Sequence, residues 1–232
     1  MKKNNLMSID FIKTPINHSF TINELKDFWQ VVLPFILHRQ EHFKNVWNNG
    51  TEEEIFAELI FCIFTPQSKA TICWNAVNNL MSKNMILNSK CIDIAKIING
   101  VRFKNNKARY VIEARKFFMI NGDIRIRKKL ASFKDMYNLR SWLAQNIKGI
   151  GYKEAGHFLR NIFIGKDLAI LDRHVLKNLK NYGVINMIPE RLSIKMYLYI
   201  EKQMQKFAEN IAIPMGHLDM LFWCKNTGGI FK

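Results

Sequence analysis

Apolar residues recur every three to four positions along most of this 232-residue chain, the spacing of helices that each bury one face. The stretch Glu52–Phe64 shows it best, with apolar side chains at 55, 56, 59, 60, 63 and 64. Thr51, followed by Glu52, Glu53 and Glu54, predicts an N-cap with acidic residues in the first turn. Similar spacing predicts helices over 70–81, 107–120, 139–147, 153–164, 173–182 and 194–211. Breaks fall at Asn49-Gly50, Thr65-Pro66, Asn99-Gly100, Asn121-Gly122, Lys148 to Gly151, Gly165 and Ile213-Pro214, all combinations that interrupt regular backbone. Asp123–Ile126 is the one weak strand candidate, and no internal repeat or low-complexity segment is present. The expected class is all-α, with short connections.

Composition narrows the setting. Hydrophobic residues make up 48% and charged residues 23%, the profile of a globular protein. The basic start, Met1-Lys2-Lys3-Asn4-Asn5, leads into no apolar stretch of the export-signal kind. The apolar run Val31–Leu37 contains Pro34 and is far shorter than a membrane span. A cytoplasmic, nucleoid-associated protein without membrane contact is expected. Cys62, Cys73, Cys91 and Cys224 form no CxxC pair and read as small core side chains rather than metal ligands or an iron–sulfur set. His38-Arg39-Gln40-Glu41-His42 has the H-x-x-E-H form of some zinc peptidases, but five residues match easily by chance and no third ligand is evident.

The net charge of +16 is unevenly spread: residues 96–160 hold sixteen basic and four acidic residues, while residues 1–95 hold nine of each. A localised excess of this kind suits a polyanion, with phosphate neutralisation its usual purpose; a solvated basic face is the plainer alternative. A membrane surface would favour a single basic amphipathic helix, whereas here the charges are interleaved with Gly, Asn and aromatic residues.

Within the basic segment, a helical pattern runs into Gly149-Ile150-Gly151 and restarts at once with Tyr152-Lys153-Glu154-Ala155. Two glycines around one hydrophobe allow a hairpin whose amides face outward. The next helix adds its free N-terminal N–H groups, making a phosphate cradle anchored by Ile150. The same residues also describe a tight αα-hairpin with no ligand.

Gly149-Ile150-Gly151-Tyr152-Lys153-Glu154-Ala155, with Leu171-Asp172-Arg173-His174 downstream, resembles the helix-hairpin-helix–GPD superfamily of DNA glycosylases. Within it, the chain is similar to the archaeal-type 8-oxoguanine DNA glycosylase/AP lyase branch. The likeness extends to 56–68, to Val101-Arg102-Phe103-Lys104-Asn105-Asn106-Lys107-Ala108-Arg109-Tyr110, to His157-Phe158-Leu159-Arg160-Asn161 and to the ending 218–232. Cys224 departs from it, standing where the branch tends to carry an aromatic residue, and Asn226-Thr227-Gly228-Gly229 is less acidic than usual there.

The resemblance implies a two-part helical fold: residues 1–63 and 165–232 form one domain. Residues 64–164 form an inserted domain that ends in the helix-hairpin-helix at about 139–164. It implies a bifunctional enzyme that flips out and excises 8-oxoguanine and then nicks the strand by β-elimination. Its partner is double-stranded DNA, and a monomer is expected. Lys153 is the implied nucleophile, an amine at a helix start expected to be flanked by Lys148 and Arg160 and partly shielded so that its neutral form is released. Asp172, 19 residues on, is the implied carboxylate partner, stabilising positive charge on the sugar; its side chain could equally cap the helix beginning near Arg173. A plain phosphate contact is the alternative for Lys153.

Lys232 is the implied base-discriminating residue, carrying a terminal carboxylate beside its ammonium. Trp223 and Phe103 are candidates for stacking or wedging, with core packing as the alternative. Gln67, Ser68 and Asp219 are candidates for polar contacts, with a helix cap the alternative for Asp219. Gly149, Gly151, Lys148, Arg173 and His174 are candidate phosphate contacts. No organic cofactor or catalytic metal is implied; the superfamily leaves room for a monovalent cation on the hairpin carbonyls. The competing readings are a non-catalytic DNA-binding module and a related glycosylase for another damaged base. Lys153→Gln separates the first, since a clamp loses affinity and an enzyme loses chemistry.

Overall fold

The computed structural model describes residues 9–10 and 21–232. In chain order these form β1 (Ile9–Asp10), α1 (Ile22–Asn49), α2 (Glu52–Phe64), α3 (Ala70–Ser82), α4 (Met85–Asn88), α5 (Cys91–Ile97), α6 (Lys104–Phe118), β2 (Met119–Ile120), β3 (Asp123–Ile124), α7 (Ile126–Ala131), α8 (Met136–Asn146), α9 (Tyr152–Asn161), α10 (Arg173–Asn181), α11 (Ile194–Ile211), α12 (Met215–Thr227) and β4 (Gly229–Ile230). The fold is mostly helical, and its strands form two short antiparallel pairs, β1 with β4 and β2 with β3. No helix among the described residues is long and apolar enough to cross a membrane.

The chain divides into two compact units. One is Phe43–Gly165; the other combines the described residues up to His42 with Lys166–Lys232. The division falls inside α1, 21 residues before the expected boundary at 63/64.

The reason is α2. Its N-terminus is a reciprocal cap: Thr51 Oγ1 accepts from Glu54 N at 3.1 Å, and Glu54 Oε2 accepts from Thr51 N at 2.7 Å. From Ile55 to Phe64 every residue is buried, so this helix is wrapped on all sides rather than along one stripe. It packs on α3, α6, α7 and α9. Burying Phe56, Phe61 and Phe64 is worth about 2 kcal/mol apiece. The buried Glu58 carboxylate accepts from Asn161 Nδ2 at 3.0 Å, tying α2 to the end of α9. A helix so placed is the centre of the Phe43–Gly165 unit, and the Thr65-Pro66 break that ends it is a turn within that unit.

The weak strand signal at Asp123–Ile126 resolves into a two-residue strand, with Ile126 opening α7. Asn121 (φ 51°) and Gly122 (φ 88°) make the tight turn between β2 and β3, both in the left-handed region that two-residue hairpins require.

The second unit has α12 at its heart, packed on α10, α11 and β4. Tyr182 lies between Phe207 and Phe222, stacked on each at 5.5 and 5.9 Å. Trp29 Nε1 donates to His217 Nδ1 at 3.2 Å, fastening the first part of α1 to α12. Ser193 caps α11, its hydroxyl accepting from Met196 N.

Candidate active site

The hairpin joins α8 to α9, which pack against each other. Asp135 caps α8, accepting from Tyr137 N at 2.6 Å and Asn138 N at 3.3 Å. Gly149 has φ +82°, and a Cβ there would lie 2.7 Å from the Tyr110 ring; the close approach and the strained φ together disfavour a side chain. Ile150 is buried as the anchor, while Lys148, Gly149 and Gly151 are exposed. The Gly151 N–H, one of the orphan donors of a helix start, donates to Glu154 Oε2 at 3.2 Å.

The start of α9 is pinned from α8. The fully buried Arg140 guanidinium lies over the rings of Tyr137 and Tyr152, at 5.4 and 5.0 Å. Ser141 Oγ and Tyr152 Oη are 2.8 Å apart. Lys153 follows directly, its side chain 32% exposed and its Nζ 2.9 Å from Glu154 Oε1. One carboxylate thus holds the hairpin amide with one oxygen and the lysine ammonium with the other. The expected crowding by Arg160 is not what the fold provides. Arg160 lies about two helical turns further on, buried, with its guanidinium 5.1 Å from the Phe43 ring. The immediate partner of Lys153 is an anion.

Asp172 ends a buried segment, Leu168–Leu171, that hangs on α11. Ala169 N donates to Glu201 Oε1 at 2.8 Å, Tyr197 Oη donates to Ala169 O at 2.6 Å, and Leu171 N donates to Tyr197 Oη at 3.3 Å. Asp172 then caps α10: its Oδ1 accepts from His174 N and Val175 N, both at 2.8 Å. The capping role is therefore present, and Oδ2 is not engaged by either bond. His174 sits edge-on to Trp223 with centroids 4.9 Å apart. Burial pushes the imidazole below its ordinary pKa, opposed by the Asp172 carboxylate and assisted by Arg173 and Lys177. Arg173 is exposed, and its Nε donates to His174 Nε2 at 3.4 Å. Asp172, His174 and Trp223 are thus brought together.

Trp223 is half-buried and Lys232 buried. Asp219 is the fifth residue of α12, whose cap position is Pro214, so the capping alternative for Asp219 does not hold. Phe103 is 55% exposed and is not a core residue; the Arg102 guanidinium lies 5.6 Å from its ring. Gln67 is exposed. Both Gln67 (φ 57°) and Phe103 (φ 58°) adopt left-handed backbone, uncommon for residues of their kind. Ser68 Oγ links their loops by accepting from Arg102 N at 3.0 Å. Among the described residues no group of three His, Cys, Asp or Glu side chains is placed to hold a metal.

One residue that sequence reasoning passed over is Lys107, buried on the inner face of α6. Within a run of exposed bases, only its register with Val111 and Ala114 distinguishes it.

The chain as a whole is similar to known proteins. Residues 36–213 match the family model described as 8-oxoguanine DNA glycosylase. An 8-oxoguanine DNA glycosylase/AP lyase of Fusobacterium nucleatum is 43% identical over 210 residues, covering 90% of this chain and 97% of its own length. The crystal structure of the Thermotoga maritima 8-oxoguanine DNA glycosylase superposes with a TM-score of 0.80 at 34% identity, covering 91% of this chain and 98% of that one. The Methanocaldococcus jannaschii 8-oxoguanine glycosylase/lyase, solved with a 15mer DNA containing 8-oxoguanine, gives 0.82 at 32% identity, with 91% and 99% covered. The chain belongs to the 8-oxoguanine DNA glycosylase family.

Proposed function

We propose that this protein excises 8-oxoguanine from duplex DNA and then cuts the strand at the resulting site, with Lys153 as nucleophile and Asp172 as its carboxylate partner. The observation that carries this reading is the placement of Lys153. It is a partly exposed amine in the first turn of α9, directly behind a hairpin whose exposed glycines suit a phosphate backbone. The names of the relatives supply the lesion.

The damaged nucleotide leaves the stack to reach the site. Lys153 Nζ, as the neutral amine left once its ammonium proton is released, attacks the anomeric carbon and sheds a further proton as the C–N bond forms. The glycosidic bond breaks, its electrons leave with the base, and the base takes up a proton. The ionised Asp172 stabilises positive charge on the sugar. Opening of the sugar ring gives a Schiff base, and removal of a C2′ proton expels the 3′ phosphate. Trp223, Phe103 and Lys232 serve the base and its surroundings, with Gln67, Ser68 and Asp219 as polar contacts. Lys148, Gly149, Gly151, Arg173 and His174 meet phosphate.

Borohydride trapping on a duplex with one 8-oxoguanine tests the reading. The intact chain forms a covalent adduct and Lys153→Gln forms none while still binding the duplex. An adduct that persists in the variant removes the assignment.

A further inference from the structure

We infer that Lys107 is a positioning residue of the excision step, fixing two surface loops so that Gln67 and Phe103 are held ready to enter the duplex at the extruded base. This rests on the proposed excision of a base from DNA.

Lys107 lies 4% exposed on α6. Its ammonium spends its three N–H donors on three oxygens: Phe64 O at 2.7 Å, Pro66 O at 2.7 Å and Ser68 Oγ at 3.3 Å. All three acceptors belong to the end of α2 and the turn that follows it. The negative end of a helix is a favourable place for a cation, yet burying an ammonium among neutral oxygens is costly. What the ammonium adds is direction. Gripping the carbonyl before Gln67 and the hydroxyl after it orients both flanking groups, and Ser68 N closes the turn on Thr65 O at 3.0 Å. Gln67 is left at the exposed tip with φ 57°, a conformation that needs such support.

The second loop is tied to the first. Ser68 Oγ also accepts from Arg102 N, the amide before Phe103, and Lys107's own N–H bonds Phe103 O at 3.0 Å. Phe103 is thereby held outward with φ 58°. The buried cation braces the Gln67 turn directly and the Phe103 loop through Ser68 Oγ, so that it supports two exposed left-handed residues, one polar and one aromatic. That is the pairing of groups needed to fill a gap and wedge a base step. Cys73 supports the same acceptor set, its thiol donating to Phe64 O at 3.2 Å. Alignment of such tips serves extrusion of a paired base, a step that a base already lost does not need.

Two substrates separate these steps: a duplex with one 8-oxoguanine and the same duplex with a preformed abasic site. With saturating protein, Lys107→Met is expected to slow single-turnover excision roughly tenfold to a hundredfold, as displaced positioning groups do, while abasic-site trapping stays within about threefold. Ser68→Ala, which removes the hydroxyl that accepts from both Lys107 Nζ and Arg102 N, is expected to slow excision by a smaller factor than Lys107→Met. Thermal melts establish that each variant is folded; if Lys107→Met does not fold, Ser68→Ala decides. Equal slowing of both steps, or unchanged excision in a folded variant, overturns the inference. Failure of the intact chain to excise the base or form an adduct overturns the proposed function instead.

Discussion

The Nζ of Lys153 lies 2.9 Å from Oε1 of Glu154, its neighbour in the chain. The other oxygen of the same carboxylate accepts from the Gly151 amide, so Glu154 has two separable duties. Glu154→Gln keeps an acceptor for Gly151 and removes the ion pair; Glu154→Ala removes both. The alanine variant is expected to lose about 1 kcal/mol of stability, the usual value of a helix cap. The glutamine variant is expected to stay within about 1 kcal/mol, because an ion pair that still reaches solvent through Lys153 contributes little. Urea titrations of the two check the division.

Asp172 allows a similar separation of cap from charge. Asparagine caps helices as well as aspartate, so Asp172→Asn is expected to melt near the parent temperature yet fall at least about a hundredfold in excision, the scale of a lost electrostatic group. Asp172→Ala is expected to lose the same activity and about 1 kcal/mol of stability besides. Equal activity in the parent and Asp172→Asn would falsify the charged role.

How much of this could be read from the chain depends on whether a residue's environment is periodic. The span of α2 is plain because the capping residue Thr51 and an apolar face coincide, and that of α11 because apolar spacing runs from Ile194 to Ile211. α12 escaped prediction because nine of its residues, from Met215 to Lys225, are buried on all sides, and a helix covered all round leaves no polar stripe to count. α1 escaped because Pro34 lies inside it, where proline ordinarily breaks a helix. The hairpin before Lys153 and the Asp172 cap of α10 are legible through local motifs. The Glu154 carboxylate beside Lys153 and the burial of Lys107 are not, since a long side chain's destination depends on packing that no spacing reveals.

Gly149 is the strictest position of the hairpin. Gly149→Ala forces a Cβ into the Tyr110 ring and a strained φ, and is expected to destabilise by about 1–3 kcal/mol. Duplex binding should weaken with it. Lys148→Ala, at the exposed edge, should instead leave stability unchanged and lower the salt slope of DNA binding by about one. Binding titrations over a series of salt concentrations measure both.

Acid should loosen the second unit through His217. Burial holds this imidazole below its ordinary value of 6.5, and its Nδ1 accepts from Trp29, which requires the neutral ring. An unfolded chain protonates near that ordinary value while the folded chain resists. The contribution to stability is therefore full above about pH 6.5 and declines as pH falls toward the folded-state value. His174, depressed in the same direction, adds to the slope. The melting temperature is expected to drop between pH 7 and pH 5, and His217→Phe to flatten that drop.

The pairing of β1 with β4 places Asp10 opposite Gly229 and Ile9 opposite Ile230, which is two residues before Lys232. The front of the chain is thus a clasp on its far end. Trimming the first ten residues, a routine step in making a shorter expression product, would also unfasten the strand that carries Lys232 to its buried seat. A protein shortened at one end would then fail at the other.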